Sequence, residues 1–255
     1  MNPYVGITDF MNFEQVKAML AVFNQHKKID SDRKLHVGVM MSFKTLHNLP
    51  TKWADAFPRK EEIRRIFSSD ETYNCLHFVD YENRPDLWRT LVQAISFGGM
   101  RLDAVQLDMV WPEPSHISHG VHTSRKPVEI ILQIGQKAFD AVDNNETFLI
   151  NKLAEYEGVI DRVLLDRSMG KGIPLQPELL LPFARKIKWH FPEIGIGFAG
   201  GIGPTTVSLI EPLVKEFPDL SIDAQGKLRA SGNALDPIDW PLAEDYLIEA
   251  LKILS

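Results

Sequence analysis

Three stretches in the last third of the chain share one plan. Arg162-Val163-Leu164-Leu165 runs into Asp166 and then Arg167-Ser168-Met169-Gly170-Lys171-Gly172. Ile194-Gly195-Ile196-Gly197-Phe198-Ala199 runs into Gly200-Gly201-Ile202-Gly203-Pro204, and Leu220-Ser221-Ile222 into Asp223 and a turn that holds Gly226. A short apolar run ending in a carboxylate or a glycine pair reads as a buried parallel strand that delivers its last residues to a C-terminal rim. Such strands, separated by helical patterns, are the repeating unit of a (β/α)8 barrel. Active sites of that fold lie on the rim, often with a phosphate pocket after strands seven and eight.

Upstream, the same unit recurs. Tyr4-Val5-Gly6-Ile7 and the rim pair Thr8-Asp9 precede an expected helix from Phe13 to His26, with Asn12 as its N-cap. Leu35–Met40, Leu76–Val79, Ala104–Leu107 and Val128–Gln133 read as strands two to five. Helical spacing is expected over 59–67, 86–97, 137–156 (broken near Asp143-Asn144-Asn145), 177–191, 205–217 and 241–254. Ser42–Phe57 reads as a long loop, or a loop with a short helix, after strand two, and Trp111–Lys126 as a second long insertion after strand four, weak in helical pattern. The expected fold is one α/β domain over residues 1–255, a single TIM barrel, and 255 residues at 44% hydrophobic content are enough to fill it.

Charge and composition narrow the function. A net charge of −6, from 28 basic and 34 acidic residues, argues against nucleic acid or an anionic membrane as partner. No apolar run approaches the length of a bilayer span, and no secretion signal is visible. The one cysteine, Cys75, excludes an internal disulfide framework and fits a cytoplasmic location. A homodimer is compatible with all of this.

The phosphate site is expected where Gly200 and Gly201 let a ligand approach the backbone and a helix opens at Pro204 or Thr205, with further amides from Gln225 and Gly226. The bland alternative is that these glycines only make tight turns. Asp9, Asp80, Asp108, Asp166 and Asp223 converge on the same rim. Like charges in a low-dielectric pocket push pKa values apart and make acid–base pairs, although any single rim aspartate can simply cap a helix. His116, His119 and His122 follow strand four as H-x-x-H-x-x-H, a spacing that brings two imidazoles onto one helical face for a metal. Lys44, Arg59, Arg125 and Lys126 flank the long loops and are candidates for gripping a carboxylate or for ordinary solvated charge. His36 and His77 sit within strands and read as core or outer-face residues.

Taken in order, these pieces resemble phosphoribosylanthranilate isomerase, a phosphosugar-binding barrel family of tryptophan biosynthesis. Val5-Gly6-Ile7-Thr8 is similar to its Cys-Gly-Ile-Thr, and Val105-Gln106-Leu107 to its Val-Gln-Leu-His. Leu164-Leu165-Asp166 with Gly170 and Gly172, Phe198-Ala199-Gly200-Gly201-Ile202, and Ile222-Asp223 through Gly226 are similar to its last three rim motifs. The resemblance implies an Amadori-type aldose–ketose isomerisation without a cofactor. It makes Asp166 the acid that opens the sugar ring, and gives Gln106, Asp223 and Gly172 substrate contacts. The chain departs from the pattern at Val5, which stands in the place of the family's proton-accepting cysteine, and at Asp108, which stands in the place of a histidine. The expected substitute base is Asp108 or Asp9. Three readings therefore stand: such an isomerase, a non-catalytic binder of a phosphorylated metabolite, and a metal-dependent lyase or epimerase built on His116 and His119.

Overall fold

The computed structural model describes residues 1–82, 84–168 and 174–254. These form a closed barrel of parallel strands in sequential order: β1 (Tyr4–Thr8), β2 (Lys34–Ser42), β3 (Tyr73–Val79), β4 (Ala104–Asp108), β5 (Glu129–Gly135), β6 (Arg162–Asp166), β7 (Gly195–Ala199) and β8 (Ser221–Ala224), with β8 closing onto β1. The architecture is the (β/α)8 barrel that the alternating strand and helix patterns predict.

Alternation along each strand divides the core in two. Val5, Ile7, Val37, Phe78, Val105, Leu132, Val163 and Phe198 face outward into one large apolar cluster with the helices. Inward, Tyr4, Tyr73, Cys75, Ala104, Ile131 and Leu164 form a smaller second cluster within the barrel. Its lower end is plugged by Arg162, whose guanidinium lies 5.5 Å from the Tyr4 ring and 5.3 Å from the Tyr73 ring and bonds to Glu129 at 2.8 Å. Charge and ring contacts of this kind keep a cation in an otherwise apolar interior.

The first helix, Phe13–His26, starts as expected: the Asn12 side chain accepts from the Gln15 amide and the Gln15 side chain returns to the Asn12 amide. Gly99, at φ 70°, ends the helix Leu87–Gly98. Two segments differ from expectation. The stretch after β4 carries a helix, Pro114–Ser124, which seats Gly120 against Trp88 and Leu91; a near-contact of glycine with a neighbouring helix substitutes for the missing apolar stripe. The helical pattern over 137–156 breaks near Asp143-Asn144-Asn145 as expected, into Gln136–Asp140 and Glu146–Ala154, the second capped by Asn145. The helix expected over 205–217 is a 3-10 turn, Val207–Ile210, followed by Glu211–Glu216. No helix among the described residues is long and apolar enough to cross a membrane.

Candidate functional site

At the C-terminal end of the strands, inward-facing side chains on β3 to β6 form a continuous polar line. Asp108 Oδ2 lies 3.7 Å from His77 Nε2. The side-chain nitrogen of Gln106 donates to His77 Nδ1 at 3.2 Å and to Gln133 Oε1 at 2.9 Å. Gln133 in turn donates to Asp166 Oδ2 at 3.3 Å. Register makes this line: His77 pairs with Gln106 across the β3–β4 ladder, and inward positions on adjacent strands then fall at similar heights. Both ends are tied further. Tyr81 donates its hydroxyl to Asp108 at 2.6 Å, and Asp166 Oδ1 accepts the Ser168 amide at 2.8 Å and hydroxyl at 2.7 Å.

Burial shifts the protonation of this line. For His77, burial alone lowers the pKa, but the bond and charge of Asp108, with Asp223 and Asp9 behind it, outweigh it and raise the imidazole above its ordinary value. Burial raises Asp166 against the opposing bonds from Ser168. One layer below, Asp223 is 5% exposed and accepts the Thr8 hydroxyl on both oxygens, at 3.0 and 2.9 Å. Burial pushes its carboxyl up to about 7, with Asp9 and Asp166 adding to the rise and His77 and Thr8 opposing it. His36 lies 3.8 Å from Asp223, fully buried and stacked on Tyr4; burial, then the charges of His77 and Arg162, hold it down at about 3, so its ring is neutral.

His77, Gln106, Asp108, Gln133, Asp166 and Asp223 line a cavity of about 430 Å³. Met40, Trp53, Phe57 and Met109 make an apolar wall, with Trp53 and Phe57 stacked at 5.5 Å. Gly200, Gly201, Gln225 and Gly226 border the opposite side, and Lys137 brings a cation to the rim beside Tyr81.

The structure thus places Asp108, Asp166, Gln106, Asp223, Gly200, Gly201, Gln225 and Gly226 around one cavity. Gly200, at φ 97°, lies so close to Asp166 that a Cβ there would sit 2.5 Å from Oδ1. The helix start expected after these glycines is a short 3-10 turn, and the Gly203 amide is already bonded by the Thr206 hydroxyl at 3.0 Å. Any anion held here meets loop amides, since no full helix begins at this point.

Asp223 lines the cavity from within β8 and does not follow the strand. Other expected residues lie elsewhere. Asp9 does not line the cavity: its carboxylate pairs with buried Arg229 and accepts from the Gln225 side-chain nitrogen at 2.8 Å. Asp80 is paired with Arg84. Val5 packs on the helix side of β1, so the position that the resemblance gives to the proton acceptor has no view of the mouth. His116, His119 and His122 fall on the helix after β4, where His119 packs edge-on against Trp88. No group of three His, Cys, Asp or Glu side chains among the described residues is placed to hold a metal. Lys126 binds the carbonyls of Gly99 and Met100, away from the cavity. Gly172 lies outside the described residues.

His77, Gln133, Tyr81 and Ser168 are site residues that the sequence did not single out. The available signal was parity: once β3 starts at Tyr73, Cys75 and His77 share its inward face.

The fold and site define a (β/α)8 barrel with a polar, carboxylate-rich mouth. Among solved structures the chain is similar to phosphonopyruvate hydrolase, at 12% identity and a TM-score of 0.54, over 88% of this chain and 75% of that one. It is also similar to the carboxyl transferase domain of Rhizobium etli pyruvate carboxylase, at 13% identity and a TM-score of 0.57, over 98% of this chain and 47% of that one. Identities this low establish the shared barrel fold alone. No family model and no curated protein sequence matches the chain.

Proposed function

We propose that the chain is an acid–base enzyme that isomerises a small phosphorylated sugar, of the aldose–ketose type. The observation that carries this reading is the line Asp108–His77–Gln106–Gln133–Asp166, which sets two carboxylates in unlike surroundings at opposite ends of one cavity floor. Asp166, with its pKa raised by burial, is the acid: it gives a proton to the ring oxygen and the sugar opens. Asp108, beside His77 and Tyr81, takes the proton from C2 of the opened aldehyde as Asp166, reprotonated by the former anomeric hydroxyl, gives one to O1. The enediol becomes the ketose as Asp108 returns its proton to C1 and Asp166 takes the one on O2. The base therefore stands on β4, not at the β1 position of Val5. The loop amides around Gly200, Gly201 and Gly226 hold the phosphate.

A positioned acid is worth about 10²–10⁴-fold in rate. In an assay of aldose phosphates, wild type converts at least one to its ketose. Asp166→Asn loses turnover by that factor while inorganic phosphate binds both proteins within about twofold by calorimetry. A wild-type protein that binds phosphate but converts no sugar of the panel is a phosphometabolite binder, and the isomerase reading fails.

A further inference from the structure

Asp108 is held by one oxygen. Its Oδ2 accepts the Tyr81 hydroxyl at 2.6 Å, and His77 Nε2 stands 3.7 Å from that same atom. Among the described residues nothing bonds to Oδ1, and the side chain lines the cavity with 18% of its surface exposed. The last torsion of an aspartate is broad and roughly two-fold, so an untied carboxylate offers either oxygen over a range of angles. Two donor groups converging on one oxygen remove that freedom. Tyr81 follows β3 by two residues, and Lys137, on the short helix after β5, holds its ring with an ammonium 4.9 Å from the centroid. The tyrosine is 52% exposed, so water can replace its bond and the contact adds little to the fold.

We propose that Tyr81 is a positioning residue for the base: with His77 it pins Oδ2 of Asp108 and leaves Oδ1 as the oxygen that takes the C2 proton. A general base works only within hydrogen-bond reach of its proton and in line with it, and a misplacement of about 1 Å costs on the order of 10²-fold in rate. The hydroxyl of Tyr81 therefore acts on the reaction through the carboxylate it orients, and Lys137 keeps the phenol ring in place to do so. This deepens the isomerase reading and rests on it for the reaction, whereas the anchoring of Asp108 stands apart from it.

Tyr81→Phe keeps the ring and its contact with Lys137 and removes the hydroxyl alone. On an aldose phosphate that wild type converts, kcat falls about tenfold or more while KM stays within about twofold and the thermal unfolding midpoint does not move. An unchanged kcat, or a loss confined to KM, overturns the proposal. A second measurement needs no substrate. Enclosure of the hydroxyl, then the charge and bond of Asp108, hold the Tyr81 phenol above its ordinary 10. Carbon-13 NMR of labelled tyrosine, titrated from pH 8 to 11, then shows Tyr81 protonated past 10 in wild type and ionising at lower pH in Asp108→Asn. Coincident titrations overturn the anchoring. If the titrations separate but wild type converts no aldose phosphate, the isomerase reading falls while the anchor between Tyr81 and Asp108 stands.

Discussion

His77 presents its Nε2 edge to Asp108, 3.7 Å from Oδ2, because its other ring nitrogen is taken by Gln106 at 3.2 Å. An amide nitrogen only donates, so Nδ1 accepts and the proton of the neutral ring sits on Nε2. Asp108 therefore meets an N–H, and its bond and negative charge raise the pKa of the ring.

Removing that carboxylate tests the pairing. The upward shift of His77 comes from Asp108 overcoming burial, so in Asp108→Asn burial prevails and the imidazole titrates below its position in wild type. Nitrogen-detected NMR titration of the ring follows this directly. An unchanged His77 titration would mean that Asp108 is not its partner in solution.

Asp223 gives the fold a pH signature. Its carboxyl titrates near 7 in the fold against 3.8 ordinarily, so between these values the native chain keeps a proton that the unfolded chain has released. Stability then falls as pH rises across that window, by as much as ~4 kcal/mol. His36 works in the opposite sense: it is neutral in the fold down to about 3, and its contribution is lost as pH falls below its ordinary 6.5. Comparing wild type with Asp223→Asn cancels the histidine. Urea unfolding at pH 4, 5.5 and 7 shows the variant gaining on wild type as pH rises, and parallel curves would refute the shift.

Gly200 and Gly226 border the same cavity under different constraints. Alanine at 200 must hold φ 97° with its Cβ against Asp166, which costs about 1–3 kcal/mol and displaces the acid. Alanine at 226 meets nothing within 4 Å, so stability stays within about 0.5 kcal/mol of wild type. Phosphate binding nevertheless weakens in both, because the methyl groups stand where the anion approaches the backbone. Thermal unfolding with phosphate calorimetry on the two variants separates strain from contact.

The clasp between Asp9 and Arg229 joins β1 to the turn after β8. Both side chains are buried, and Arg229 also donates to the carbonyls of Asp236 and Gln225. Arg229→Met leaves an unpaired buried carboxylate and costs about 3–5 kcal/mol. Chemical denaturation measures it; a loss below ~1 kcal/mol would show the pair to be solvated.

Much of this arrangement is legible in the residues before any coordinates. Strands that end in Asp108, Asp166 and Gly200 announce the barrel, because apolar run, acid and turn recur at crossover spacing. The glycine turns after β7 and β8 follow from the same pattern. The polar line is not legible, since it depends on cross-strand register. His77 in a strand read as starting at Leu76 has no fixed face, and Gln133 has no marker at all. The helix Pro114–Ser124 escaped because Ile117 and Gly120 are its only fully buried residues, too few to set a period. Asp9 looked like a rim acid because its partner, Arg229, lies 220 residues away along the chain.

Proton abstraction from a sugar carbon is the core of the account, and solvent exchange reads it without knowledge of the product. Wild type incubated in D2O with an aldose phosphate that it binds is followed by proton NMR. The account predicts loss of the C2 proton signal, abolished in Asp108→Asn and strongly slowed in Asp166→Asn. Full retention of the C2 proton by a bound sugar phosphate in wild type would contradict it.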